Sequence, residues 1–430
     1  ALTVNGNFKS YGTFSSAGAL TVKGDFSEYG IYSGTGLITL SGNAKQVLEV
    51  KDTTTYPEMV FANTGTDGVE FKNALISDKI TINCNFTFTD YSTVTSNKTF
   101  AIVQPVVISG NTTLKSNTKI VSANTGTVDG GYALTLEAPE IELPGLIGGT
   151  TKPASVSLTA TSATTDTCKN SVSGGISAAG DISFTGGLLL DGGAQVLSDS
   201  GDVSVSGGIG KVTGGSEIKI SADGGTVSFS NGIQNTDTTP LTVTAENFTV
   251  TGEIADGGNL TLNANATNGM TLSVSGDVNP SVIINSGTVT VDASNKLKAK
   301  KDVTIEDGAK LSSTGADLTF VGKFEDKNTA SSGFEGGSGN RKVSFNGTNA
   351  SIVSAGKLEF NGLQINSGKT LTTASSFPVN GDFTANGTFT ATNGKITFTK
   401  GGLVLGTAGE TITFYDAEFT GNTVTLNGDN

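Results

Sequence analysis

The sequence opens on a phrase that is repeated almost at once. L2-T-V-N-G-N-F-K-S-Y-G-T-F14 aligns with L20-T-V-K-G-D-F-S-E-Y-G-I-Y32, and I38-T-L-S-G-N43 is a shorter third copy at the same interval. Apolar and polar residues alternate inside each phrase, which is the period of a half-buried strand. The Asn-Gly, Lys-Gly and Asp-Gly pairs follow each strand with a residue that tolerates positive φ. The opening therefore predicts short strands that stack on their own copies.

The middle of the chain repeats a related phrase at a similar period. G180-D-I-S-F-T-G-G187 returns as G201-D-V-S-V-S-G-G208, and T226-V-S-F-S-N-G232 and N247-F-T-V-T-G252 continue the series. Short strands, separated by glycine turns at a period of roughly 20 positions, are typical of a solenoid. Each coil, meaning one turn of the solenoid, would place like side chains above one another.

Other repeat folds fit this period less well. Leucine-rich repeats need a Leu/Asn signature and helical segments, and propeller blades need about 40 residues. A β-sandwich array also has short strands, but it predicts no constant shift. We therefore predict an all-β, right-handed parallel β-helix of about 20 coils of 18–24 residues. It would form one elongated domain over 1–430, with N-terminal repeats (1–130), a middle region (131–310) and C-terminal repeats (311–430) that resemble the N-terminal ones.

Composition excludes several function classes. The net charge of −13 argues against nucleic acid and anionic membranes as partners. Histidine is absent, which removes histidine-based catalysis and histidine metal sites, and Arg341 is the single arginine. No run of apolar residues approaches the roughly 18 needed to span a bilayer. These counts favour a binding or structural protein, and we predict no enzymatic activity.

Several phrases resemble long surface proteins of bacteria. Y132-A-L-T-L-E-A138, G180-D-I-S-F-T-G-G187 and L241-T-V-T-A245 look like filamentous-haemagglutinin-type and autotransporter-type proteins. F360-N-G-L-Q-I-N-S-G368, V379-N-G-D-F-T-A-N-G-T-F389 and K395-I-T-F398 look like secreted β-solenoids of Gram-negative surfaces. The resemblance implies a β-helical protein, extracellular or at the cell surface, with an adhesive or structural role.

Few residues carry candidate chemistry. Glu137, Glu140 and Glu142 form an acidic group in which alternation puts Glu140 and Glu142 on one strand face, as a glycoside hydrolase would need. A solvated acidic patch explains them as well, and the chain has no Trp to stack on a sugar. Asp-Gly-Gly turns offer oxygen ligands for calcium, but turn capping explains those aspartates too. We predict no catalytic residue, no metal site and no cofactor, with calcium left open.

The two ends share the opening phrase, since the chain finishes on V424-T-L-N-G-D-N430. Solenoid ends expose unpaired strands unless a cap covers them. Two explanations fit: the sequence is a slice of a longer solenoid, or the C-terminal coil of one copy is continued by the N-terminal coil of the next. On the second, we expect head-to-tail assembly of copies of this chain into an extracellular filament, sheath or appendage. The predicted interface comprises Leu2, Val4, Phe8, Phe14, Phe414, Phe419, Val424 and Leu426.

One polar stretch interrupts the strand rhythm. E325-D-K-N-T-A-S-S-G-F-E-G-G-S-G-N-R341 is read either as a contact loop, with Glu325, Phe334 and Arg341 as its candidates, or as a long turn. The alternative function is an adhesin segment that binds glycans or matrix through the solenoid faces. A carbohydrate-active β-helical enzyme is the third hypothesis.

Overall fold

The fold is seen in a computed structural model, and the described residues are 1–51, 53–162, 168–208, 210–235, 237–255, 257–313, 315–336, 342–399, 403–405, 410–420 and 426–427. Within these ranges every regular element is a β-strand and no helix occurs. The parallel strands stack into a β-solenoid of about 19 turns, so the predicted fold class is confirmed. Its predicted right-handed sense stays a prediction.

The chain divides into two compact units, Ala1–Lys211 and Val212–Asn430. The single domain with three sequence regions stays a prediction. The strands that begin in the first unit are, in chain order, β1 (Leu2–Val4), β2 (Phe8–Ser10), β3 (Thr13–Phe14), β4 (Leu20–Val22), β5 (Phe26–Glu28), β6 (Ile31–Tyr32), β7 (Ile38–Leu40), β8 (Gln46–Val50), β9 (Thr55–Tyr56), β10 (Met59–Phe61), β11 (Val69–Lys72), β12 (Ala74–Ser77), β13 (Ile80–Ile82), β14 (Phe86–Thr89), β15 (Ser92–Ser96), β16 (Phe100–Ile102), β17 (Val106–Ser109), β18 (Thr112–Ser116), β19 (Lys119–Ser122), β20 (Val128–Asp129), β21 (Ala133–Ala138), β22 (Glu140–Leu143), β23 (Ser155–Ala160), β24 (Cys168–Val172), β25 (Ile176–Ala178), β26 (Ile182–Thr185), β27 (Gly187–Leu190), β28 (Gln195–Ser198), β29 (Val203–Ser206) and β30 (Gly210–Val212).

The second unit continues the same strand rhythm. Its strands are β31 (Ile218–Phe229), β32 (Ile233–Asn235), β33 (Leu241–Val250), β34 (Leu260–Ala264), β35 (Met270–Val274), β36 (Val282–Ser286), β37 (Thr288–Val291), β38 (Lys296–Ala299), β39 (Val303–Ile305), β40 (Lys310–Ser313), β41 (Asp317–Phe320), β42 (Lys323–Asp326), β43 (Phe334–Glu335), β44 (Val343–Phe345), β45 (Ala350–Ser354), β46 (Leu363–Ile365), β47 (Thr370–Thr373), β48 (Phe377–Val379), β49 (Phe383–Ala385), β50 (Thr388–Ala391), β51 (Lys395–Phe398), β52 (Leu403–Leu405), β53 (Ile412–Thr413), β54 (Asp416–Phe419) and β55 (Leu426–Asn427).

Most strands of the first unit belong to three parallel sheets, each built from one strand per coil. One runs β1-β4-β7-β10-β13-β16-β19-β22-β24-β27, and the second runs β2-β5-β8-β11-β14-β17-β20. The third contains β9-β12-β15-β18-β21-β23-β26-β29, and β3 pairs with β6. Leu2 pairs with Leu20 and Phe8 with Phe26, so the interval at which the opening phrase repeats is also the spacing of the strand register.

The second unit is built in the same way. One sheet runs β38-β41-β44-β46-β49-β52-β55, and a second contains β33-β34-β36-β39-β42-β45-β47-β50-β53. The long strands β31 and β33 each contribute to two sheets: Ile218 pairs with Leu241, and Thr226 pairs with Asn247 after a break in the register. The second of these pairs joins the first residues of two repeated phrases, as their repetition predicts.

Two coils are longer than the sequence predicts. Ile141 pairs with Asn170, and Phe324 pairs with Ile352, so each of these coils exceeds the upper limit of the predicted coil length. Both coils have long connections between their strands. The predicted coil length is therefore wrong for these two coils, and it is also wrong for the step from Val69 to Phe86, which is shorter than the predicted lower limit.

The alternation read from the sequence decides what is buried. Strands such as β4 and β7 bury their first and third residues and leave the middle one partly exposed. Leu20, Val22 and Phe26 are completely buried. Each inward side chain packs against its counterparts in the coils before and after it, so a narrow coil still obtains a continuous core.

Some polar side chains are buried inside the first unit and are hydrogen-bonded there. The Tyr56 hydroxyl donates to Glu28 Oε2 over 3.1 Å, and the Gly30 amide donates to Glu28 Oε1 over 2.8 Å. Asn63 Nδ2 donates to Gln46 Oε1 over 2.9 Å. Because buried polar groups are costly unless paired, these bonds stabilise the coil corners at which they lie.

Candidate functional site

The predicted N-terminal interface residues lie on β1, β2 and β3, which pair with β4, β5 and β6 among the described residues. We call the side of β1, β2 and β3 that faces away from their partners β4, β5 and β6 the N-terminal edge. Leu2 is 45% exposed, whereas Leu20, its register partner in the next coil, is 0% exposed. Val4 and Phe14 are partly exposed, and Phe8 is almost fully buried. The structure therefore brings all four residues to the same coil, with Phe8 serving mainly as core.

Aromatic rings continue from this edge into the solenoid. Phe8 stacks on Phe26 at a centroid distance of 5.0 Å, and Phe14 lies 5.6 Å from Tyr32. On the outside, Tyr11 stacks on Tyr29 at 5.2 Å. The two exposed tyrosines were not among the predicted site residues, although both occupy the same position of the repeated phrase, which could have indicated them.

Glu49 holds Tyr29, the less exposed ring of this stacked pair, in place. The Tyr29 hydroxyl donates to Glu49 Oε2 over 2.6 Å, and this hydrogen bond raises the pKa of Tyr29. The ammonium of Lys9 lies 5.2 Å from the Tyr11 ring and 5.6 Å from the Tyr29 ring. A cation over stacked rings is a favourable arrangement, so the stack presents an ordered surface next to the edge.

The predicted C-terminal interface residues are described only in part. We call the side of β53, β54 and β55 that faces away from their partners β50, β51 and β52 the C-terminal edge. Phe419 is 44% exposed and stacks on Phe398 at 4.8 Å, while Phe414 is partly exposed and lies 5.4 Å from Phe389. Leu426 pairs with Leu403 through its backbone, and its side chain lies outside the described residues. Val424 also lies outside them.

The predicted contact loop has an ordered base. Glu325 is partly buried in β42 and forms an ion pair with Lys323 at 2.7 Å. Phe334 is buried and lies 5.0 Å from Phe324 and 5.5 Å from Phe360. Its ring therefore supports the loop from inside instead of facing a partner. Arg341 lies outside the described residues.

A buried carboxylate holds the start of the same loop. Asp326 Oδ1 accepts hydrogen bonds from the Asn328 amide at 3.0 Å and from Asn328 Nδ2 at 2.9 Å. Its other oxygen accepts from the Gly333 amide at 2.9 Å. The sequence showed a polar stretch, but only the fold shows that part of it is directed inward.

The acidic group considered for hydrolysis is paired with lysines from neighbouring coils. Glu137 lies 2.8 Å from Lys115, and Glu142 lies 2.5 Å from Lys119. Glu140 and Glu142 share the outward face of β22, as the alternation predicts. Opposite charges facing each other across strands stabilise the sheet, and this accounts for the lysine-paired carboxylates.

Two aspartates of the Asp-Gly-Gly turns, the candidate calcium ligands, make hydrogen bonds within the protein. Asp129 Oδ1 accepts from the Thr150 amide at 2.8 Å, and Asp223 Oδ1 accepts from Asn265 Nδ2 at 2.8 Å. Across the part of the chain that the structure describes, no group of three His, Cys, Asp or Glu residues is placed to hold a metal ion. The same part contains no helix that is long and apolar enough to cross a membrane.

Comparison with known proteins adds no functional assignment. The chain matches no protein-family model, no curated protein and no solved structure. The resemblance to haemagglutinin-type surface proteins therefore rests on the quoted phrases, and the β-solenoid fold is the part of it that the structure supports.

Proposed function

We propose that this chain is a structural subunit that assembles edge to edge with copies of itself into an extracellular filament, sheath or surface appendage. The observation that carries the proposal is the difference between Leu2 and Leu20. They occupy the same position of the same phrase in register, yet one is 45% exposed and the other 0%. A further coil placed on the N-terminal edge would give Leu2 the environment that Leu20 already has.

The energetics of such a contact follow from the strands at the edge. Among the described residues β1 pairs with β4 alone, so its other side can accept a parallel strand. Each ladder hydrogen bond contributes roughly 0.5–1.5 kcal/mol net. Burying the exposed half of a leucine or phenylalanine side chain adds about 1 kcal/mol. Several strands joined at once would therefore give a stable contact.

The two edges differ in chemistry, and this favours an open assembly. The N-terminal edge exposes Leu2 and parts of Val4 and Phe14, whereas the C-terminal edge exposes Phe419 and Tyr415. A contact between two different edges is heterologous, and it forms a fibre when the rotation does not close a ring. The extracellular location is part of the same proposal and is supported by the resemblance to secreted solenoid proteins.

The test is electron microscopy of the purified chain beside a Leu2→Lys/Val4→Lys variant. Two lysines on the N-terminal edge would place charge against an incoming strand and block pairing. Val353→Lys is the matched control, because Val353 is 40% exposed on a strand that is paired on both sides.

We expect fibres from the unchanged chain and from the control, and separate particles from the edge variant. Fibres of equal length from all three proteins would show that the N-terminal edge is not the joint. Separate particles from the unchanged chain, over a range of salt concentrations and protein concentrations, would overturn the proposal altogether.

A further inference from the structure

A second surface in the first unit is a groove lined by charged, polar and apolar residues. A groove of about 760 Å³ lies over the outward face of β11, β14 and β17, and we call it the corner groove. Its volume is within the roughly 300–1,000 Å³ of small-molecule sites. Its lining residues are Lys45, Thr66, Asp67, Glu70, Asn85, Phe86, Thr87, Pro105 and Val107.

The floor of the corner groove is a single row of outward side chains. Strand register pairs Glu70 with Thr87, and Thr87 with Val107. The row therefore presents a carboxylate, a hydroxyl and an apolar group in succession over about 10 Å, which is two strand spacings. Val107 is 44% exposed, so the apolar end of the row is open to a ligand.

The wall of the groove is formed by the turns that precede these strands, and hydrogen bonds join it to the neighbouring coil. Asn85 Nδ2 donates to the Thr66 carbonyl at 2.9 Å, which ties one coil to the next. Beneath it, the buried Asn63 accepts from the Gly65 amide at 2.7 Å and donates to the Ala44 carbonyl at 2.7 Å. A wall held by hydrogen bonds of this kind loses little conformational freedom on binding.

The electrostatics of the groove favour an uncharged ligand. Glu70 forms an ion pair with Lys45, and Lys72 lies 3.6 Å from its other oxygen. The hydrogen bond from Lys45 lowers the pKa of Glu70 and keeps it an acceptor. With Asp67 at the rim, two cations face two anions in this region of a chain that is otherwise acidic.

The pairing of the floor strands bears on whether the groove binds a sugar or an extended peptide. A peptide that adds a strand needs an unpaired sheet edge. The floor strand β14 is hydrogen-bonded to β11 on one side and to β17 on the other. An occupant therefore contacts side chains on this floor. A sugar would direct hydroxyl groups to Glu70 and Asn85 and an apolar face to Val107.

From these contacts we infer that the corner groove binds an uncharged oligosaccharide. The inference does not depend on the assembly proposed above, because the groove is formed by residues of the first unit away from the N-terminal edge strands. It assigns the glycan-binding alternative to a defined place on the solenoid.

The experiment is methyl-detected NMR titration of the full chain with cellotetraose, chitotetraose and maltotetraose, and with an oligogalacturonate as the charged probe. We expect the Val107 methyl signals to shift with at least one neutral tetrasaccharide, and the Val353 methyl signals to stay unchanged. Val107→Asp should weaken that binding roughly tenfold or more, while Val353→Asp should leave it unaltered. Thermal unfolding of both variants checks that the fold is retained.

Glu70→Gln is the second variant, because it keeps the side-chain shape and removes the charge. It should weaken binding of the neutral sugar, since a carboxylate accepts stronger hydrogen bonds than an amide oxygen. No Val107 shift with any neutral probe at millimolar concentration would overturn the inference. A stronger response to the oligogalacturonate than to the neutral sugars would overturn it as well.

Discussion

The pair Leu2 and Leu20 offers a test in which the chemistry is the same and only the surroundings differ. Both begin the same phrase, and they face each other in register on β1 and β4. Leu20 lies between Leu2 and Ile38 in the sheet, whereas Leu2 has a strand on one side only among the described residues. Leu→Ala at each position therefore compares a covered coil with an uncovered one.

The expected magnitudes follow from burial. Leu20 is 0% exposed, so Leu20→Ala removes buried carbon atoms and leaves a cavity, at a cost of about 2–5 kcal/mol. Leu2 is 45% exposed, and Leu2→Ala should cost about 1 kcal/mol in the separate molecule, since little cavity is formed. The difference between the two should shrink when the chain is assembled, because a further coil would cover Leu2.

Native-state hydrogen exchange of amides in the first two coils measures both effects. Repeat proteins open locally, so the free energy of opening of this region is more informative than a single unfolding midpoint. The comparison is made first with dilute, separate molecules and then with assembled protein. An equal loss for Leu2→Ala and Leu20→Ala in the separate molecule would refute the reasoning about the open edge.

Three other perturbations test the interior. Tyr56→Phe leaves the buried carboxylate of Glu28 without its hydroxyl donor and should destabilise the surrounding coils by about 1–3 kcal/mol, measured by hydrogen exchange. Burial raises the pKa of the Cys84 thiol to about 11 from 9.0. The native state therefore retains the proton longer than the unfolded state, and stability that is complete below pH 9 should fall as the pH rises towards 11, as urea unfolding across that range would show. Gly68 has a φ of +57°, and an added Cβ would meet the Asn85 carbonyl oxygen, so Gly68→Ala should destabilise the corner by about 2 kcal/mol or more in thermal unfolding.

Each of these predictions has a matched control. Tyr32→Phe should cost little, because in the described part of the chain the buried Tyr32 hydroxyl has no hydrogen-bond partner. Gly6→Ala should be nearly neutral, since an added Cβ there has nothing within 4 Å. Cys84→Ala should remove the part of the stability loss between pH 9 and pH 11 that the thiol causes. Equal effects in test and control, or an unchanged stability loss over that pH range, would contradict the physical account.

The strand register of the solenoid was predictable because equivalent positions of the repeated phrase pair with each other. Like phrases at a constant shift can stack only if Leu2 lies over Leu20 and Phe8 over Phe26, and the structure pairs them in this way. Alternation within a strand also predicted which side chains lie inside, since successive residues point to opposite faces. The lengths of the two long coils were not predictable, because an insertion between strands leaves the phrase itself intact.

The candidate sites were predicted less completely. In the sequence, Glu137 and Glu142 look like an unpaired acidic group. Their lysine partners are one coil away along the chain and become neighbours only when the coils stack. Phe334 appeared as part of a polar loop, although its ring joins the aromatic core. The corner groove gave no sequence signal, since Glu70, Thr87 and Val107 belong to three different coils.

By itself, the sequence determined a parallel β-solenoid, its dominant spacing and its inward faces, since local alternation and close repetition both act along the chain. Only the tertiary structure decided which charges meet, which aromatic rings are covered and where a groove opens. Those features depend on side chains that are one coil apart, which is about 4.8 Å in space but a whole repeat in sequence. A local sequence pattern does not show which side chain of the neighbouring coil lies next to a given residue. That contact is determined by how the coils stack.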